Sequence, residues 1–141
     1  DPGLWQRQLA VNLTAPVFLA EAFAAQLPAG VPGNVVNLLD PRVFRPRPDH
    51  FSYQIAKSGL LAATIASARA LAPRIRVNAI APGPVLPSAE TNAERYAARV
   101  AGLPMQAAPD LADFGRTIRY FVESRSVTGE VIALDGGEHV A

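Results

Sequence analysis

Residues 34–61, NVVNLLDPRVFRPRPDHFSYQIAKSGLL, constrain the fold more than any other stretch of the sequence. Four of residues 35–39 are apolar, and they do not alternate with polar ones, which is typical of a strand covered on both faces in a parallel sheet. A loop that contains three prolines follows, and residues 52–71 then have the apolar periodicity of a helix. The stretch therefore predicts a strand, a loop and a helix, as in α/β folds.

The rest of the chain alternates between helix and strand in the same way. A largely buried helix is predicted over residues 4–27 and another helix over 110–123, where Asp110 is a suitable N-cap. Further strands are predicted over 74–80 and 131–134. This alternation indicates parallel βαβ units with right-handed crossovers. Residues 1–141 are thus expected to form one α/β domain with three strands.

Three ionisable side chains of residues 34–61 are predicted to lie close together: Asp40, Tyr53 and Lys57. Tyr53 and Lys57 are four residues apart and share a helix face, so the ammonium group can lie beside the phenol. A nearby cation favours the phenolate, and Lys57 is therefore predicted to lower the pKa of Tyr53 toward the range of a general acid or base. Asp40 directly follows the strand. Three arginines occupy the loop, most simply as a solvated segment, although one can pair with Asp40: Arg42, Arg45 and Arg47.

Two other sites carry weaker signals. Pro16 has no N–H, so the carbonyl of Asn12 loses its usual helical partner. Pro82 and Gly83 break the second strand at its carboxyl end, which is the rim where ligands bind in doubly wound sheets. By themselves, these features more simply indicate a helix kink and an ordinary turn than a binding site.

Composition excludes several classes of function. The chain has no cysteine, which rules out disulfides and thiolate catalysis, and its two histidines show no metal-ligand spacing. The net charge of +1 does not indicate the basic surface that nucleic-acid-binding proteins carry. No apolar run of membrane-spanning length lacks charges or prolines, and no secretory signal opens the chain, so a cytoplasmic protein is expected.

The motifs YQIAK, RVNAIAPGPV and the terminal LDGG together resemble the C-terminal half of the short-chain dehydrogenase/reductase family. Most members carry a serine about where Asp40 stands. An aspartate there, in NLLD, is similar to the pteridine reductase and dihydromonapterin reductase branch. The resemblance implies the C-terminal part of a doubly wound, Rossmann-type parallel sheet. It also implies an NADPH-dependent oxidoreductase that transfers hydride to the C=N bond of a dihydropterin or dihydrofolate-like substrate.

The resemblance also implies roles for individual residues. Tyr53 would supply the proton, Asp40 would help to replenish it, and Lys57 would touch the nicotinamide ribose. The backbone carbonyl of Asn12 would hold a water linked to Lys57. In the family, the turn at Pro82, Gly83 and Val85 lies along the nicotinamide, residues 84–109 cover the substrate as a lid, and the first and second long helices form a dimer or tetramer interface.

The cofactor fingerprint of such a fold is not seen. No glycine-rich loop follows a strand near residue 1, so the N-terminal half is expected to be missing from this sequence or to lie on another chain. Two alternatives to pterin reduction remain: a carbonyl or alcohol oxidoreductase of the same family, and a catalytically silent fragment that acts only in assembly.

Overall fold

The computed structural model of the protein describes residues 1–87 and 92–141. Its described strands form one parallel sheet in the order β1 (Gly33–Leu38), β2 (Ile75–Pro82) and β3 (Val131–Leu134). The central strand β2 pairs on one side with β1 and on the other with β3. This arrangement confirms the predicted parallel α/β architecture and all three predicted strands, with shifts of one or two residues at their ends.

Helices connect these strands, as the βαβ pattern predicts. A long N-terminal helix consists of α1 (Pro2–Leu9), a π-helical turn (Ala10–Thr14) and α2 (Ala15–Gln26). The helices that follow in the chain are α3 (Phe51–Ala70), α4 (Ala93–Ala101) and α5 (Leu111–Glu123). Short 3₁₀ turns lie at Pro41–Val43 and Glu138–Val140. Asp110 caps α5 as predicted, because its Oδ1 accepts a hydrogen bond from the Ala112 N–H at 2.9 Å.

The core lies between β2 and α3. Residues 77–81 of β2 are buried, among them Val77, Ala79 and Ile80, and α3 packs Leu60 and Ala68 against this strand. A strand with this many consecutive buried residues has cover on both faces, as the largely apolar pattern of its neighbour also suggested. The sheet and α3 therefore form a fixed frame for the loops at the carboxyl ends of the strands.

The prediction of a largely buried N-terminal helix is wrong for this chain. None of its residues is buried, and large apolar side chains such as Val11, Phe18 and Leu19 are exposed. The reason is geometric: among the described residues, the helix packs on α3 and on the edge strand β1, and these contacts leave many of its apolar residues uncovered.

By length and composition alone, the 25-residue helix Pro2–Gln26 could cross a membrane. A core helix of a protein without any membrane span meets the same criterion. The pattern of apolar residues therefore does not identify what surrounds this helix. The edge of β1 is similarly open among the described residues, and Leu38 remains 54% exposed.

Candidate active site

The carboxyl ends of β1 and β2 bring the predicted site residues to one rim of the sheet. Asp40 stands two residues beyond the end of β1, and Pro82 is the last residue of β2. Because the two strands are parallel neighbours, their ends point the same way. Helix α3 begins after the loop that follows Asp40 and carries Tyr53 in its first turn and Lys57 one turn later.

Asp40 and Tyr53 are in direct contact. The Tyr53 hydroxyl donates a hydrogen bond to Asp40 Oδ2 at 3.1 Å. The other oxygen of Asp40 accepts a hydrogen bond from the Arg42 N–H at 2.9 Å, which fixes the carboxylate at the start of a 3₁₀ turn. The Arg42 side chain lies 4.0 Å from Asp40 Oδ2, so the pairing of one loop arginine with Asp40 is confirmed. The Tyr53 hydroxyl and the Asp40 carboxylate thus form one hydrogen-bonded unit.

Lys57 lies beside this pair. Its Nζ is 5.7 Å from the centroid of the Tyr53 ring, as the spacing of four residues predicted. The ammonium group donates a hydrogen bond to the Leu38 carbonyl at 2.7 Å, which anchors it to the end of β1. Asp40, Tyr53 and Lys57 therefore converge within one cluster.

The pKa of Tyr53 shifts opposite to the prediction. Burial raises it, and the negative charge of Asp40 and the hydrogen bond to Asp40 raise it further, while Arg42 opposes them. Burial also lowers the pKa of Lys57, against the opposing attraction of Asp40. The prediction that Lys57 brings the Tyr53 pKa down is therefore wrong for the chain by itself. Tyr53 is instead held in its protonated form, ready to donate.

Asn12 lies in the π-helical turn, four residues before Pro16. This turn packs on α3 where Gly59 leaves room: a β-carbon there would come within 2.9 Å of Leu13 Cδ2. The side chain of Asn12 donates to Gln8 Oε1 at 2.7 Å. A wide turn next to a proline agrees with the predicted disturbance of the helical hydrogen bonds. The role of the Asn12 carbonyl toward Lys57 stays a prediction.

The loop after β2 approaches the C-terminal segment very closely. The Gly83 N–H donates to the Leu134 carbonyl at 3.0 Å, and a β-carbon at Gly83 would lie 2.6 Å from the Cα of Asp135. Only glycine fits this contact, which explains why a glycine stands at position 83 beside the backbone of Asp135. Val85 follows within a tight turn, where its N–H donates to the Gly83 carbonyl at 2.9 Å.

Replacing Gly83 with alanine should destabilise the protein by about 1–3 kcal/mol, because the new methyl group meets backbone that cannot move aside. Denaturant unfolding of the variant measures this loss. Gly115→Ala is the matched control: its β-carbon would meet nothing within 4 Å on α5, so it should be neutral or stabilising. Equal stability of the two variants would contradict the close contact at Gly83.

Sequence reasoning missed two residues that hold the rim of the site together. The Tyr96 hydroxyl of α4 lies 3.0 Å from the Pro84 carbonyl and 2.9 Å from the Val85 carbonyl, so it holds the loop after β2. Glu138 accepts hydrogen bonds from Arg47 and Arg99. No spacing rule connects residues so far apart in sequence, and neither contact had a local signal.

Only part of the predicted lid, residues 84–109, lies within the described residues. Helix α4 lies within it, whereas residues 88–91 fall outside the described residues. Across residues 1–87 and 92–141, no group of three or more histidine, aspartate or glutamate side chains is arranged to hold a metal ion.

A family model described as "Enoyl-(Acyl carrier protein) reductase" matches residues 1–139 of the chain. Among curated relatives, dihydromonapterin reductase of Klebsiella pneumoniae is 33% identical over 134 residues, which cover 93% of this chain and 55% of that protein. Dihydromonapterin reductase of Citrobacter koseri is 33% identical over 107 residues, covering 76% of this chain and 45% of that protein. The chain thus spans about half the length of these relatives.

Solved structures show the same partial coverage. FolM alternative dihydrofolate reductase 1 from Brucella canis, complexed with NADP, superposes with a TM-score of 0.98 at 54% identity, covering all of this chain and 56% of that chain. A putative short-chain dehydrogenase/reductase from Burkholderia xenovorans has a TM-score of 0.83 at 23% identity over the whole of this chain and 57% of its own, which supports the fold alone. The predicted C-terminal part of a doubly wound parallel-sheet fold is thereby confirmed.

Proposed function

Because the chain belongs to the short-chain dehydrogenase/reductase family, we propose that it carries the catalytic residues of an NADPH-dependent reductase of dihydropterin or dihydrofolate-like C=N bonds. Its similarity is to the pteridine reductase branch of that family. The observation that carries the proposal is the hydrogen bond between Tyr53 and Asp40 at 3.1 Å. An aspartate coupled to the tyrosine can return protons, whereas a serine in that position can only donate or accept hydrogen bonds.

The chain's own donors suit a dinucleotide's ribose and nicotinamide. The Lys57 ammonium group and the Tyr53 hydroxyl are the donors and acceptors that sugar hydroxyls require, and both are only partly buried. The backbone at Pro82, Gly83 and Val85 stands on the same rim, where it would meet the nicotinamide. The Brucella proteins with high structural similarity were solved in complex with NADP, which supports the choice of cofactor.

In the proposed reaction, bound NADPH supplies the hydride. The carbon of the substrate C=N bond gains that hydride, and the nitrogen gains a proton from the Tyr53 hydroxyl. The phenolate left behind would face the Asp40 carboxylate, a repulsion that Lys57 and Arg42 reduce. Asp40 therefore has to take up a proton from solvent and pass it to Tyr53, which balances the reaction and restores the starting state.

Homo-oligomer formation in the cytoplasm is also part of the proposal. Both helices expose large apolar side chains, among them Phe18 and Leu19 on the N-terminal helix and Ile55 and Ile65 on α3. Apolar surface of this extent needs cover by protein. A dimer or tetramer built through these two helices would provide it, as would further protein segments that pack on the helix.

The experiment that tests the proposal is an assay of the full-length protein with NADPH and two kinds of substrate, dihydromonapterin and a simple ketone. We expect NADPH oxidation with the dihydropterin to exceed oxidation with the ketone by at least about tenfold in kcat/KM, since each 1.4 kcal/mol of differential transition-state binding corresponds to a factor of ten.

A preference for the ketone would favour the alternative carbonyl or alcohol oxidoreductase. Stable oligomers with no binding of NADPH, followed by nucleotide fluorescence, would favour the silent assembly fragment. Either result would reject pterin reduction as the function of this site.

A further inference from the structure

Glu138 joins two arginines across the rim of the candidate site. Its carboxylate is buried, with 8% of the residue exposed. Arg99 Nη2 lies 2.9 Å from both of its oxygens, and Arg47 Nη2 lies 3.3 Å from Oε1. We call these three residues the Glu138 cluster. A buried carboxylate requires such partners, because water no longer solvates its charge.

The first arginine comes from the loop that carries Asp40. Arg47 lies between the 3₁₀ turn after β1 and the start of α3. Its backbone N–H donates to Gln54 Oε1 at 2.8 Å, and Gln54 is a buried residue next to Tyr53. Arg47 is thus held at its backbone by the helix of the catalytic tyrosine and at its side chain by Glu138.

The second arginine comes from α4, within the predicted lid. Arg99 lies one turn after Tyr96, whose hydroxyl holds the carbonyls of Pro84 and Val85. The α4 helix therefore has one contact to the loop after β2 and another to Glu138. Through Glu138, the segment that would cover the substrate is connected to the loop that carries Asp40.

We propose that Glu138 is a positioning residue that sets the distance between α4 and the Tyr53 side of the site, and so the fit of the substrate beneath α4. This inference rests on the proposed reductase function. Both arginine side chains are about half exposed, at 44% and 47%, while that of Glu138 is 10% exposed. The two cations can therefore remain solvated when the carboxylate is neutralised, and they then repel each other and separate the two segments.

The test is Glu138→Gln in the full-length protein, with Arg99→Met as a second variant that removes a half-exposed partner and leaves Glu138 paired with Arg47. We expect each variant to raise the KM for dihydromonapterin roughly tenfold and to change kcat less than about threefold, because binding geometry is affected and the proton donor is not. The double variant should be no worse than Glu138→Gln alone, since both substitutions remove one contact. Amide hydrogen exchange should accelerate in α4 in each variant.

The control is Arg116→Met, which breaks an exposed ion pair with Asp113 on α5, away from the site. It should leave KM, kcat and exchange in α4 unchanged. The proposal is overturned if Glu138→Gln and Arg99→Met behave like this control, if their effects on KM simply multiply, or if they lower the melting temperature with KM and kcat unchanged. A wild-type protein that reduces no dihydropterin would reject the proposed function instead, and exchange in α4 would still test the cluster.

Discussion

Replacing Tyr53 with phenylalanine should reduce kcat of the full-length enzyme by roughly 10²–10⁴-fold, the usual contribution of a positioned general acid. The substitution removes only the hydroxyl, which is the proton donor and the partner of Asp40 at 3.1 Å. The ring of Tyr53 beneath the Lys57 ammonium group is retained. Binding of NADPH, followed by nucleotide fluorescence, should therefore weaken only a few-fold while turnover of dihydromonapterin is lost.

Tyr120→Phe is the matched control for this experiment. Tyr120 is an exposed tyrosine on α5, and its ring lies tilted against that of Phe121 in a contact that does not need the hydroxyl. Its kinetic constants should equal those of the wild type. If Tyr53→Phe turned over dihydromonapterin at a near-normal rate, Tyr53 would not be the proton donor and the proposed mechanism would fail.

The parts of this structure that follow local rules could be predicted from the sequence. The helix period places Tyr53 and Lys57 on one face, and the end of an apolar strand places Asp40 at the rim, so the cluster could be anticipated without coordinates. Asp110 as the cap of α5 is a similar case, since capping depends on neighbouring residues only. Element type and the main cluster are therefore accessible from periodicity.

Features that depend on distant partners could not be predicted in this way. The pKa of Tyr53 moves upward because of burial and Asp40, and the cation that opposes this shift is Arg42 rather than the Lys57 that the spacing suggested. Burial of the N-terminal helix was overpredicted because apolar periodicity shows which residues require cover and does not show which segment supplies it. Glu138 meets Arg99 across 39 residues, a separation for which sequence patterns offer no rule.

Replacing Asp40 with asparagine should lower kcat for dihydromonapterin by about 10²-fold, because asparagine keeps the shape and the hydrogen bond of Asp40 and cannot return a proton. It should also lower the pKa of Tyr53. The charge of Asp40 and its hydrogen bond both raise that pKa in the wild type, so removing the charge leaves burial as the main cause of the upward shift. Activity that needs protonated Tyr53 falls as pH rises through this pKa, and the alkaline limb of the pH–rate profile should therefore move to lower pH in Asp40→Asn.

A second substitution at the same position separates proton return from simple hydrogen bonding. Asp40→Ser restores the residue that most members of the family carry, and it should weaken pterin reduction while permitting turnover of a simple ketone. Asp113→Asn, at an exposed carboxylate on α5, is the control and should change neither the rate nor the pH profile. If both Asp40 variants kept the wild-type pH profile and the wild-type preference for dihydromonapterin, Asp40 would serve only to cap the 3₁₀ turn through the Arg42 N–H. Specificity for a pterin would then have to come from residues other than the Asp40–Tyr53 pair.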